Sequence, residues 1–337
     1  MTDLRDKIMG CLLGGLLGDA MGGPVEGLHY EFIAERHGEV TTLKEHRGLQ
    51  PGAGTDDSAL KHMLCEAIGR TNGNVNAAAW AQVWRERMNP FKFYPPVASS
   101  FYKISIGGVR AREAGIGNMI SNSTAMCISP IGIVNAGDPR RAMLEAYEVT
   151  SLIHRGSPQD GALAMAAATA AAFDPNADAE SVIEAALGNL DPESDMPAAI
   201  DTAVSLARST GDFAEFRAAY YADHLWDWPQ QPEEGHSNAV DPRESASVAL
   251  ALLLLADGDP NEVALMSANF GRDADSIGAM GGPVAGAMSG ASGIRPEWAA
   301  QVQAATPVNQ EELADSLLEV LTARLNADRA RGEALLA

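Results

Sequence analysis

Basic residues, cysteines, aromatics and long apolar runs are all scarce in this 337-residue sequence, and each shortage removes a class of answer. Lysine and arginine number 24 against 45 aspartates and glutamates, a formal net charge of −21. Such a surface repels a phosphate backbone, so no nucleic acid partner is expected. The three cysteines, Cys11, Cys65 and Cys127, are odd in number and far apart. They form no Cys-x-x-Cys, which argues against a disulfide framework and against a thiolate zinc site, and a reducing cytosol suits them. Aromatics are only 6%, and strand candidates such as residues 39–43 are short. The longest apolar run after the N-terminal region, residues 248–256, falls far short of the ~20 residues a spanning helix needs. The early run at residues 8–18 has the look of a signal-peptide core. Its flank is mixed in sign, however, and Asp19 closes it without a cleavage pattern. The expectation is a cytoplasmic, soluble chain that meets no membrane.

What remains is ample for a core, since 46% of residues are hydrophobic. Helix signals dominate. Residues 58–70 place Leu60, Leu64 and Ile68 on one stripe. Residues 160–173 are rich in alanine, the best helix former. Residues 178–188, 198–208, 244–256 and 310–325 also read as helices, with Asp178 and Asn309 as N-terminal caps. The breaker-rich stretches 89–96, 115–124, 154–160 and 227–243 are each short enough to be loops on one body, and the last could form a lid or rim. A mostly α-helical single domain spanning residues 1–337 is therefore expected.

Glycine is spaced with purpose. Gly10, Gly14, Gly18 and Gly22 recur every fourth residue, as do Gly278, Gly282, Gly286 and Gly290. That spacing puts glycines on one helix face, where another backbone can approach closely. Each glycine costs ~1 kcal/mol in a helix interior relative to alanine, so eight of them imply packing that requires them.

Each ladder lies near carboxylates. Thr55-Asp56-Asp57-Ser58 precedes the 58–70 helix, and the basic residue ahead of this segment is Arg47. One aspartate at a helix start is explained as a cap or a dipole partner. A repelling pair flanked by hydroxyls is explained less well that way. Carboxylates with hydroxyls are the hard oxygen ligands that Mg²⁺ or Mn²⁺ prefers. Asp273-Ala274-Asp275-Ser276 leads into the second ladder and lacks the EF-hand spacing. Two such clusters suit a binuclear metal site, two ions cancelling several charges. Glu26, in Pro24-Val25-Glu26-Gly27, is a third candidate, set on a turn that could carry one carboxylate over the site.

Together these motifs resemble the ADP-ribosylglycohydrolase family. The likeness rests on Gly18-Asp19-Ala20-Met21-Gly22-Gly23-Pro24-Val25-Glu26, on Thr55 to Ser58, and on Gly271 to Ser276 running into glycine-rich helix, in that order over essentially the whole chain. The resemblance implies an all-α orthogonal bundle with two Mg²⁺ or Mn²⁺ ions in a central cleft. It implies metal ligands Thr55, Asp56 and Asp57 on one side and Asp273, Asp275 and Ser276 on the other, with Glu26 contacting metal or substrate. The implied reaction is hydrolysis of a ribosyl C1–N or C1–O bond in an ADP-ribosylated protein or a small ribosyl compound. Glu26, Asp56, Asp57 and Asp275 are the catalytic candidates, and the general base among them stays open. The family's ligand loop corresponds to Asn122-Ser123-Thr124-Ala125-Met126, with Cys127 where the pattern has arginine. His154 matches a ligand-side position. A small N-ribosyl metabolite is the alternative substrate, and a non-catalytic, crystallin-like role the alternative to an enzyme. Trp226, Trp228 and His236 could line a pocket by stacking on a base, or anchor their loop.

Overall fold

The computed structural model describes residues 3–225 and 240–337. Trp226, Trp228, His236 and most of the 227–243 stretch lie outside the described residues. Among the described residues the chain forms sixteen α-helices. The first eight are α1 Leu4–Gly22, α2 Tyr30–His37, α3 Asp56–Arg70, α4 Ala77–Arg87, α5 Pro95–Ser105, α6 Ser129–Ile133, α7 Pro139–Thr150 and α8 Pro158–Ala171. The rest are α9 Ala179–Leu187, α10 Asp195–Thr210, α11 Phe213–Asp223, α12 Pro242–Leu255, α13 Pro260–Phe270, α14 Ala274–Ser289, α15 Pro296–Ala305 and α16 Gln310–Leu336. The all-α expectation holds.

Asp178 and Asn309 cap as expected, accepting from the Ser181 amide at 2.8 Å and the Glu311 amide at 3.0 Å. Residues 39–43 form no strand. The described strands are the two-residue β1 Leu28–His29 and β2 Gly271–Arg272, paired antiparallel. Helix α16 runs well past residue 325, because beyond the apolar stripe it is an exposed rod with pairs such as Arg329–Glu333 at 2.9 Å. Proline opens several helices. Asp138-Pro139, Asp241-Pro242 and Asp259-Pro260 are each a capping aspartate followed by proline at the first helical position, where the missing N–H costs nothing.

The centre of the molecule is α1 against α14, and the two glycine ladders are each other's partners. A methyl on Gly10 would overlap the Gly286 carbonyl, one on Gly14 that of Gly282, and one on Gly18 that of Gly278. Descending numbers on α14 meet ascending ones on α1, so the helices run antiparallel with their backbones in contact. Segment Leu4–Val25 is long and apolar enough to cross a membrane, yet its most apolar 18-residue window is 94% buried, under α3, α13, α14, α15 and α16. An all-round apolar helix in that position is core. The antiparallel run ends with Gly22 against Ala274 and Asp275, so the ladder delivers the end of α1 to the second acid cluster.

Candidate metal centre

The first cluster is set by an aspartate to which the motifs above assign no role. Asp19, fully buried near the end of α1, accepts the Thr55 amide at 2.9 Å and the Ser58 amide at 3.1 Å, and also the Ser58 hydroxyl. The Thr55 hydroxyl accepts the Asp57 amide at 3.3 Å. The start of α3 is thus capped by Thr55 and Asp19. The carboxylates of Asp56 and Asp57 are not needed there and are left for another purpose. The Asp56 carboxylate accepts only a long bond, 3.4 Å, from the Tyr94 amide. Asp57 Oδ2 is buried and finds no hydrogen-bond partner among the described residues.

Glu26 arrives from the turn after α1. The β1–β2 bridge pairs Leu28 with Arg272, and the Gly27 amide donates to the Arg272 carbonyl at 2.6 Å. This fastens the Glu26 turn beside Asp273. Gly271 and Arg272 have φ of 81° and 55°, two successive left-handed residues that turn the chain from α13 into α14. A side chain at Gly271 would strike the Leu28 carbonyl, so glycine is needed for the close approach. The strained backbone of Arg272 is offset by its side chain, which is buried and bonded to Glu244 of α12 at 2.5 and 3.0 Å. The result is that carboxylate oxygens of Glu26, Asp273 and Asp275 all lie within 4.8 Å of one another. Asp57 lies close enough to be repelled by Asp19, Asp56 and Asp273.

This crowding shows in protonation. Burial first, then like charges, pushes Asp56 up to about 6 and Asp57 well above the usual carboxylate range. Burial first, with Glu26 opposing it across the site, pushes Asp273 up to about 7. Asp275 is raised well above its ordinary value by burial and by Asp57, Glu26 and Asp273. One buried cation stands behind them. Lys61 donates to the Leu12 carbonyl at 3.2 Å and feels Asp19 and Asp57. Hard oxygen donors, an orphaned Asp57 oxygen and mutually repelling acids fit a divalent cation, which would hold them ionised.

These folded-state values lie above those of the unfolded chain, about 4. Their contribution to stability is full below pH 4 and is lost as pH rises through about 6 and 7. A cation competes with those protons. Mn²⁺ is therefore expected to raise the melting temperature much more at pH 8 than at pH 5. Scanning fluorimetry showing equal shifts, or none at pH 8, would rule out cation binding by these acids.

The loop before α6 closes one side. The Asn122 amide group donates to Asp273 Oδ2 at 2.5 Å and to Ser245 Oγ at 3.0 Å. Met126 brings its sulfur to the Ser276 hydroxyl at 3.7 Å. Ser123, Thr124 and Ala125 are buried. The amides of Ala125 and Met126 donate to the Asn122 carbonyl at 2.7 and 3.1 Å, and that of Ser123 to Ser121 Oγ at 3.4 Å. His154, 1% exposed after α7, has its ring nitrogens 3.1 Å from the Ser121 hydroxyl and 3.3 Å from that of Thr124. Burial pushes it down to about 4, so the imidazole is neutral near pH 7. Cys127 is buried, its thiol donating to the Ser123 carbonyl at 3.4 Å and raised by burial, as an unreactive core residue would be.

Comparison with known proteins bears on this assembly. The family model for ADP-ribosylglycohydrolase matches residues 1–327. The chain belongs to the ADP-ribosylglycohydrolase family. It is 25% identical to the uncharacterized protein YegU of Escherichia coli K12, over 93% of this chain and 96% of that one. It is 26% identical to an uncharacterized protein of Archaeoglobus fulgidus, over 84% of this chain and 88% of that one. A solved ADP-ribosylglycohydrolase-related protein complex superposes with a TM-score of 0.67 at 21% identity, covering 96% of this chain and 99% of that one. The all-α fold is thus that of the ADP-ribosylglycohydrolases, and membership supports glycosyl hydrolase activity. Arg47, Tyr94, Ser245 and Glu244, the partner of Arg272, border the site as well, and no motif in the sequence marks them for it. Asp19 was legible in principle: it stands inside the Gly18-Asp19-Ala20 motif.

Proposed function

We propose that this chain is a divalent-metal-dependent glycohydrolase that cleaves a ribosyl C1–N or C1–O bond, releasing ADP-ribose from a modified protein side chain or a small ADP-ribosyl compound. The observation that carries the reading is the convergence of Glu26, Asp273 and Asp275 within 4.8 Å, beside Asp57 with its unpartnered oxygen. In this reading Thr55, Asp56 and Asp57 hold one side of a pair of Mg²⁺ or Mn²⁺ ions, and Asp273, Asp275 and Ser276 the other. When bound, the ions supply Lewis acidity and anchorage for the vicinal hydroxyls of the ribose. The protein's own groups do the rest. Asp57, Asp273 and Asp275 are buried, whereas Glu26 and Asp56 keep contact with solvent, so these two are the candidates to take a proton from the attacking water. Water oxygen bonds to C1, the C1–N or C1–O bond breaks, and the proton passes to the leaving group. Negative charge around C1 stabilises the oxocarbenium-like centre. Neutral His154 orders the 121–126 loop on the ligand side through its two hydroxyl partners.

A second reading, a small N-ribosyl metabolite as substrate, is favoured by one observation. Amides of the 122–126 loop are engaged within the loop, and Cys127 offers no charge to a diphosphate.

The test is direct. Purified protein with Mn²⁺ is incubated with an ADP-ribosylated peptide, ADP-ribosylarginine or a nicotinamide riboside. Release of ADP-ribose or ribose is expected, abolished by chelator and by Asp56→Ala. If no ribosyl product forms from any of them, or Asp56→Ala changes nothing, the reading is wrong.

A further inference from the structure

Three cations border the acid site, and their placement differs. Lys61 is buried behind it, and Arg272 is buried in its bonds to Glu244. Arg47 is at the mouth, its side chain 63% exposed, with Nη2 2.7 Å from Glu26 Oε2. It sits on a tight turn built to hold it there. His46 and Leu49 exchange backbone bonds of 3.2 and 2.7 Å, and the two residues between them, Arg47 and Gly48, have φ of 48° and 75°. Both central residues left-handed is the geometry of a type I′ turn, in which arginine is an uncommon choice over asparagine or glycine. The base of the turn is anchored, since the buried His46 ring packs against Gly23, three residues before Glu26. The hairpin and the Glu26 turn are thereby one unit.

Glu26 is claimed from two directions. Arg47 holds it on the solvent side, and its oxygens also lie within 4.8 Å of those of Asp273 and Asp275. A cation taken up by those three acids would satisfy Glu26 and leave the guanidinium fork without its carboxylate. A planar fork of this kind donates to phosphate oxygens as readily as to carboxylate oxygens. The rest of the site needs such a group. The chain carries a charge of −21, and the 122–126 loop ties up its Ser123, Ala125 and Met126 amides locally.

We propose that Arg47 is the anion-binding residue of the substrate site, that it receives the phosphate oxygens of an ADP-ribosyl substrate, and that Glu26 occupies it until the site is filled. This rests on the glycohydrolase reading above. It places the attraction for a diphosphate on an arginine at the mouth, where the acidic surface otherwise repels it.

Calorimetry on the full chain tests it, with Mn²⁺ titrated first, then ADP-ribose, then adenosine, which shares base and ribose but lacks phosphate. Arg47→Gln is expected to bind Mn²⁺ at least as tightly as wild type and ADP-ribose about tenfold more weakly, with adenosine unchanged. The salt dependence of ADP-ribose binding should shrink with it. Arg47→Lys, keeping charge without the fork, should fall between. Equal ADP-ribose affinity in Arg47→Gln and wild type overturns the proposal. So does equal weakening of both ligands, or loss of Mn²⁺ affinity, since Arg47 would then merely orient Glu26. A wild type that binds Mn²⁺ but no ADP-ribose also overturns it, while leaving the metal site standing. Absence of Mn²⁺ binding defeats the glycohydrolase reading on which this proposal rests, and is distinguished from failure of the proposal alone, in which Mn²⁺ binds and ADP-ribose affinity does not depend on Arg47.

Discussion

Asp275→Asn is expected to make the metal-free protein more stable and the enzyme inert. Asp275 is buried, and Asp57, Glu26 and Asp273 all oppose its ionisation. Asparagine removes that repulsion at nearly constant volume, and its oxygen can still accept the Ser276 amide now held at 3.0 Å. A gain of about 1–2 kcal/mol near pH 8 is expected in urea unfolding of the chelated protein. Mn²⁺ affinity should fall at least about a hundredfold, and glycohydrolase turnover about a thousandfold, as a charged anchor and its electrostatic work are lost together. The opposite signs are the informative part. A structural acid would lose stability on the same change. If chelated Asp275→Asn is less stable than wild type, or binds Mn²⁺ normally, Asp275 is not held there for a cation.

Gly18→Ala should be among the most damaging single-methyl changes in this chain. The added Cβ would overlap the Gly278 carbonyl, and backbone on both sides leaves no flexible atom to yield. Helices α1 and α14 must separate, at an expected cost of about 3 kcal/mol or more. The same separation draws Asp19 away from its hold on Thr55 and Ser58, and Gly22 from Asp275, so Mn²⁺ affinity should fall too. Gly332→Ala is the control. That glycine lies in α16 with open space where a methyl would stand, so alanine's helix preference should stabilise the helix by about 1 kcal/mol. Urea denaturation of the two variants ought to give shifts of opposite sign. Equal stabilities would mean that the ladder contact is not as tight as described.

Properties that repeat locally were legible in the sequence. Alanine-rich and amphipathic stretches declared helices, because the helix period is short enough to be read within one element. Asp178 and Asn309 declared their caps by the same logic. The ladders at Gly10–Gly22 and Gly278–Gly290 declared close packing. The acids Asp56, Asp57, Asp273 and Asp275 declared themselves by being paired where one cap would suffice. Proline misled at residues 95, 158 and 242, because the same residue that breaks a helix interior is favoured at its first turn.

Tertiary structure alone decided what meets what. No local pattern says that one glycine ladder packs against the other, or in which direction. That follows from backbone contact too close for any side chain, between segments from opposite ends of the chain. The pairing carries Gly22 to Asp275, lets Asp19 take over the capping of α3, and, with the Leu28–Arg272 bridge, brings Glu26 into the acid cluster. Whether a carboxylate is a cap, a counter-charge or a ligand depends on which donors reach it, and that is settled only by long-range packing. The sequence by itself determined a helical, acid-rich member of its family. The fold determined which acids are crowded together, and that an arginine from a remote turn faces one of them.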